Sequence, residues 1–467
     1  MTLRSISPLE GRYAGQVEGL SDYFSEWALI RYRVRVEIEW LIMMSETREI
    51  THVREFSEGE TLFLRSIVAG FDEKEAGRVK KIEDRTRHDV KAVEYYLRER
   101  LQETSLTDVQ EAVHFCCTSE DINNLAYALM LKEGIHREWL PPAREVVLKA
   151  ANLAEALRDV AMLTRTHGQA ATPSTMGKEL AVFVYRWQRQ LRQLEAAEYL
   201  GKFNGTVGSY DAHAVAYPHV QWEDVAKSFV ERLGLVFNPL TTQIEPHDFM
   251  AEIFHILMRF NTIVLDFDRD MWTYVSLGYF RQKVVKEEVG SSVMPHKVNP
   301  IDFENSEANV GISNALFDHL ASKLPVSRLQ RDLSDSSAER NIGTALGNSV
   351  VGLRSALKGI DRIEADREAM RADLDDAWEV LAEAVQTVMR KAGYAQSYER
   401  MKGLTRGARI TKVEMEAFIS GLDLPEEEKT RLLSLTPATY VGLAPRLVRH
   451  IADQFWLIPE GRRNQPN

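Results

Sequence analysis

The chain has 467 residues, 44% hydrophobic and 27% charged, with a formal net charge of −11. That is ordinary globular composition with ample apolar content for a large core, and the length suggests roughly two to four domains. A general nucleic-acid binder is more often basic, so that class is set aside; an acidic chain that holds an anionic substrate must build a local positive pocket against its own field.

The opening MTLRSISPLEGRYAG has no apolar signal core, and no later apolar run is long enough to suggest a membrane span. Within it, Arg12 and Tyr13 stand beside a glycine as a phosphate or ribose candidate. EDRTRHDVKAVEYYL, residues 83–97, clusters Arg85, Arg87, His88 and Lys91. On a helix Arg87 and Lys91 are i,i+4 neighbours. The cluster reads either as a solvated face paired with Glu83, Asp84 and Asp89, or as an anion contact. A first domain boundary is expected at 105–110, where LQETSLTDVQEA breaks a charged helix.

HFCCTSEDINN, residues 114–124, holds the chain's two cysteines, Cys116 and Cys117. Being adjacent, they support no disulfide framework, which fits a reducing, cytoplasmic setting. His114 with the two cysteines is too crowded for a metal site and lacks a second Cys/His cluster. Thr118-Ser119-Glu120-Asp121 fits a capping box before an apolar helical run. A helix start with two hydroxyls is also an anion site, and both readings can hold at once.

RTHGQAATPSTMGKE, residues 165–179, places His167 in a loop made by Gly168 and Pro173, with Ser174 or Thr175 able to start the next helix. His167 reads either as a packed junction residue or as a histidine poised for proton transfer. After the histidine–aspartate pair at 247–248 come Phe249, Ile253, Leu257, Phe260, Val264, Phe267 and Met271, one apolar stripe on a long helix. Similar stripes occupy 121–135, 175–200, 305–324 and 341–360, so a mostly α, bundled protein is predicted. Stripes beyond what one domain can bury would be covered in a homo-oligomer.

GSSVMPHKVNP, residues 290–300, concentrates helix breakers and polar groups between two of these helices. Lys297 and Asn299 can both donate to a carboxylate. A serine here could act as nucleophile or base only if cationic groups and backbone N–H donors lowered its pKa. The surroundings lack the G-x-S-x-G elbow of many hydrolases. KLPVSRLQRDLSDSSAERN, residues 323–341, sets Arg328, Arg331 and Arg340 around Ser334, Ser336 and Ser337. Arginine with hydroxyls suits a phosphate monoester, and a capped, charged helix start is the alternative. A charge-rich stretch at 362–372 marks a second boundary, and the PEGRRNQPN tail is expected to be disordered.

The loop resembles the signature G-S-S-x-M-P-x-K-x-N-P of the fumarase/aspartase superfamily, including its methionine, Met294. With IDFENSE, RTHGQ, TRHDVKA, CTSEDINN and TTQIEPHD, the whole set resembles the adenylosuccinate lyase family in its longer bacterial form, from Arg12 to about residue 445. The resemblance implies an all-α subunit of three domains, at 1–108, 109–364 and 365–467, whose central helices form a homotetramer core. It implies active sites shared between subunits and no metal or organic cofactor. The implied reactions are cleavage of adenylosuccinate to AMP and fumarate, and of the succinylated aminoimidazole carboxamide ribotide with release of fumarate. By resemblance Ser291 is the general base, although spacing alone cannot choose it over Ser292. His167 is the general acid, and His88 contacts substrate and helps orient it. Lys297 and Asn299 hold the developing carboxylate charge. Arg12, Tyr13, Arg331, Ser336 and Arg340 match phosphate and ribose contacts. Thr118 and Ser119 match succinyl carboxylate contacts, Gln243 a substrate amide contact, and Asp89 the family's histidine–aspartate pair. Arg87 and Met294 join the substrate-binding set. Glu304, on a reading of the residue itself, orients His167 or Lys297. Cys116 departs from the smaller residue many relatives carry there, so it could crowd the helix start or sensitise the site to oxidation. A sibling lyase for argininosuccinate or a carboxymuconate would have no use for Arg331 and Ser336 as phosphate ligands. A non-enzymatic scaffold would have eroded Ser291, His167 or Lys297, and all three are present.

Overall fold

The computed structural model describes residues 3–283, 294, 297–405 and 410–452. Most of the signature loop, including Ser291 and Ser292, and the tail expected to be disordered lie outside the described residues. Long helices dominate the rest, and the strands are only two or three residues long. The apolar stripes become helices Ser119–Gly134, Met176–Glu195, Asp248–Ser276, Ile301–Lys323 and Ile342–Asp361. No helix among the described residues is long and apolar enough to cross a membrane.

Two compact units divide the chain. The first comprises Met1–Ala143, Gln193–Thr262 and Ala308–Arg354, the second Arg144–Arg192, Ile263–Glu307 and Ser355–Asn467. In the first unit, helix Glu26–Glu46 starts where the Ser25 hydroxyl accepts from the Ala28 N–H at 3.1 Å. It packs on Ser119–Gly134 and Asp89–Leu101. Trp40, on its buried face, lies 4.3 Å from the Phe203 ring and 5.2 Å from Phe229. Ser119–Gly134 runs into a π turn, Ile135–Trp139, before Leu140–Ala156. Pro141 and Pro142 supply no N–H to the ladder there, which is why the hydrogen-bond register changes.

A polar node ties helices of this unit together. The Trp139 indole donates to Ser349 Oγ at 2.8 Å, and Ser349 donates to Asn261 Oδ1 at 2.7 Å. Asn261 Nδ2 donates to Ser313 Oγ at 3.2 Å, and that hydroxyl donates to the Ala345 carbonyl at 2.8 Å. Buried polar groups linked in this way specify one helix register where apolar contacts alone tolerate several.

In the second unit, Phe267 packs edge-on against Phe183, Trp187 and Phe303, at 5.5, 5.4 and 6.1 Å between centroids. Gly177 lets two helices approach: a Cβ there would lie 2.3 Å from the Ala154 carbonyl oxygen. A separate apolar cluster, including Val385, Met389, Met415 and Ile419, forms the core of the C-terminal helices.

Candidate active site

Several of the expected residues meet in the first unit. Arg331 is the hub. Its Nη1 donates to Gln243 Oε1 at 3.3 Å and its Nη2 to Ser336 Oγ at 3.3 Å. The same Nη2 pairs with Glu120 at 2.8 Å. Gln243 is itself held, its Nε2 donating to the Thr206 carbonyl at 2.8 Å. Burial pushes the Glu120 carboxyl above the ordinary range, against the pull of Arg331. Thr118 and Ser119 open the helix that carries Glu120. The Asp121 carboxylate accepts from the Thr118 N–H at 2.8 Å, as the capping box requires.

A second cluster surrounds the histidine–aspartate pair. The Asp89 carboxylate meets the buried Arg33 at 2.8 Å and Arg340 at 3.6 Å. Burial works against its charge, yet Arg33, the Val90 N–H and Arg340 hold its pKa below the usual value. Arg340 also pairs with Glu26. His88 is the N-cap of helix Asp89–Leu101, and its Nδ1 accepts from the Lys91 N–H at 3.2 Å. A ring nitrogen that accepts carries no proton, so the proton of the neutral ring sits on Nε2.

The expected Arg87/Lys91 pairing on one helix face does not occur. Arg87 lies in the left-handed region, at φ 55°, and ends the preceding helix, while the next begins only at Asp89. The reversal between helices Glu73–Thr86 and Asp89–Leu101 uses just Arg87 and His88, and Lys91 pairs instead with Glu94 at 2.8 Å. Arg12 is exposed, and Tyr13 precedes the short helix Ala14–Val17.

The second unit presents its own set. His167 and Gly168 form the two-residue turn of a hairpin in which Arg165 pairs with Ala170 and Thr166 with Gln169. Both turn residues have positive φ, 54° and 75°, as a type I′ turn demands. Histidine is among the non-glycine residues that tolerate this region best. The hairpin's Arg165 donates to the Tyr279 hydroxyl at 3.0 Å and pairs with Asp373. The expected helix start follows: Thr175 Oγ1 accepts from the Lys178 N–H at 3.3 Å. Lys297 is exposed, its N–H donates to the Met294 carbonyl at 3.0 Å, and Met294 is exposed as well. Asn299 is partly buried just ahead of helix Ile301–Lys323. Glu304, in that helix's first turn, accepts from the Trp272 indole at 3.0 Å.

Family models match most of the chain. One described as Lyase matches residues 11–312, and one described as Adenylosuccinate lyase C-terminal matches residues 327–441. Adenylosuccinate lyase of Haemophilus influenzae is 51% identical over 452 residues, 97% of this chain and 99% of that protein. The Escherichia coli protein of the same name is 52% identical over 448 residues, 96% and 98% of the two chains. The chain belongs to the adenylosuccinate lyase family. The fold agrees. A fumarate lyase from a Mesorhizobium species superposes with a TM-score of 0.75 at 19% identity, covering 93% of this chain and 97% of that one. A 3-carboxy-cis,cis-muconate lactonizing enzyme from Pseudomonas putida gives 0.73 at 20% identity, with 94% and 96% covered.

In this adenylosuccinate lyase family member the supporting charges are what residue-by-residue reading missed. Asp121 not only caps its helix but forms a fully buried ion pair with Lys202 at 2.8 Å, and its Oδ1 accepts from the Asn204 N–H at 3.0 Å. Glu37 bonds His114 at 2.6 Å. Burial opposes charge on His114, but Glu37 prevails and raises its pKa. The available signal was Arg33 and Glu37, spaced i,i+4 on the face of Glu26–Glu46 that carries the buried apolar side chains. Cys116 has φ 60°, and burial pushes its thiol up to about 11; Cys117 is raised still more firmly. Both are therefore held as thiols, which lowers their reactivity toward oxidants. Among the described residues no group of three or more His, Cys, Asp or Glu side chains is arranged to hold a metal ion.

Proposed function

We propose that this chain cleaves adenylosuccinate to AMP and fumarate, and the succinylated aminoimidazole carboxamide ribotide to its carboxamide ribotide and fumarate, by general acid–base β-elimination. Family membership carries the reading. The Arg331 cluster supports the ribotide reading: a guanidinium grouped with a hydroxyl and an amide suits phosphate and ribose. Arg12, Tyr13 and Arg340 extend it, Thr118 and Ser119 contact the succinyl carboxylate, Gln243 contacts a substrate amide, and Arg87 and Met294 join the substrate-binding set. The helix start at Ser119 favours a carboxylate.

Elimination removes a proton from the carbon beside one succinyl carboxylate, giving a doubly charged aci-carboxylate. Preorganised donors must sit where that charge develops, the role of Lys297 and Asn299. Ser291 takes the proton once the loop excludes water. His167 protonates the leaving nitrogen. His88, whose Nε2–H is left available by its cap, contacts substrate and through it helps orient His167, Asp89 completes the histidine–aspartate pair, and Glu304 orients His167 or Lys297. No metal or organic cofactor enters these steps.

The subunit is a three-domain chain, at 1–108, 109–364 and 365–467, in a cytoplasmic homotetramer with shared sites and neither nucleic-acid nor membrane partners. Exposed apolar side chains along the long helices, among them Val182, Tyr185, Trp272 and Ile312, support the oligomer. Ser291→Ala and His167→Ala should each lower turnover by at least about a hundredfold. Mixing the two inactive proteins should restore part of the activity. No recovery after confirmed subunit exchange counts against shared sites, and near-parental turnover by either variant removes that residue from the mechanism.

A further inference from the structure

We propose that Arg33 is a positioning residue that, through a relay buried on the Asn123 side and half-buried at Asp89, sets Arg331 and Arg340 as one anion-binding pair. The proposal rests on the reading that these two arginines receive the substrate phosphate. Arg33 is 2% exposed, in helix Glu26–Glu46, and a buried guanidinium persists only when well paired. Its Nε donates to Asn123 Oδ1 at 2.8 Å, and its Nη2 meets Asp89 Oδ2 at 2.8 Å.

Each arm then reaches a site arginine. On one side, Asn123 Nδ2 donates to Glu120 Oε1 at 2.7 Å, and that same oxygen receives Arg331 Nη2 at 2.8 Å. On the other, Asp89 Oδ2 lies 3.6 Å from Arg340 Nη2. Donors and acceptors alternate, so each carboxylate is shared between the relay and a site arginine. Asn123 and Glu120 are also buried. The planar guanidinium of Arg33 fixes the angle between the two arms, which a lysine's single ammonium cannot do. His88 immediately precedes Asp89, so the relay also reaches the cap of that helix.

Simple structural support is the competing account, and affinity for the two products separates them. Asn123→Leu cuts the relay without touching either arginine. The KM for adenylosuccinate and the inhibition constant for AMP should rise about tenfold, with kcat within about threefold and inhibition by fumarate unchanged. Arg33→Lys should act in the same direction, and the double variant should be no worse than Arg33→Lys alone. Should Asn123→Leu fail to assemble, Asn123→Ser carries the same comparison. Unchanged AMP inhibition, additive effects, or equal weakening toward AMP and fumarate would each overturn the relay. Turnover by the parent protein is read first. Its absence refutes the proposed function, whereas turnover together with unchanged AMP inhibition in the variants refutes the relay alone.

Discussion

The observed cap and the proposed substrate role of His88 can be separated by substitution. Its Nδ1 caps a helix, which leaves Nε2 for the proposed substrate contact. Asparagine is a good N-cap, whereas alanine is not, the difference being about 1 kcal/mol. His88→Asn should therefore keep the parent's stability yet lose most turnover, while His88→Ala should lose both. Denaturation curves and rates on the same samples check this; equal turnover in His88→Asn and the parent would limit His88 to its cap. The sequence made the cation cluster legible but not its geometry. Nothing in RTRHDV announces that Arg87 turns left-handed, because that choice is imposed by the packing of two helices joined by two residues. His167 was legible as a loop residue through Gly168 and Pro173. That it occupies a type I′ turn position depends on strand pairing that Thr166 and Gln169 do not advertise.

Helices were the most legible elements, since periodic apolar stripes state both their existence and their buried face. The capping box at Thr118 was legible too, and the Asp121 bond realises it. The second use of Asp121 was not, because its partner Lys202 lies 81 positions away and only tertiary folding brings them together. That pair fixes the start of helix Ser119–Gly134, hence the placement of Thr118, Ser119 and Glu120. Removing one member of a fully buried pair leaves an uncompensated charge and costs about 3–5 kcal/mol. Asp121→Asn should show that loss in chemical denaturation, with turnover falling as the helix start loosens. A change in stability below about 1 kcal/mol would show that the pair is not needed to hold the helix start.

At the scale of the molecule, buried histidines give stability a defined pH dependence. Burial lowers His213 to about 4, with Asp121 opposing and Lys202 assisting. Burial lowers His247 to about 4, with Lys323 and Arg331 assisting. Both take up protons more readily when unfolded, where the ordinary value is 6.5, so their contribution to stability falls as pH drops from about 6.5 to about 4. His114, raised by Glu37, works the other way: its contribution is full below 6.5 and is lost as pH rises through its folded value. Buried carboxyls raised by burial, Glu120, Asp268 and Glu339 among them, act in the opposite sense, so the histidine contribution is read as a difference: between pH 6.5 and 4 His247→Gln should lose less melting temperature than the parent, and an equal change in both would exclude His247 as a cause. The family's fold and chemistry were legible over nearly the whole chain because a signature loop and separate helix-end motifs are each local strings. The buried charges that align those motifs are spread over distant segments and emerge only on folding. The most direct test of the central claim is to incubate the purified protein with adenylosuccinate, without added metal, and to quantify AMP and fumarate by chromatography. Equal amounts of the two products are the predicted result. No turnover by a well-folded protein, with cleavage of argininosuccinate instead, would contradict it.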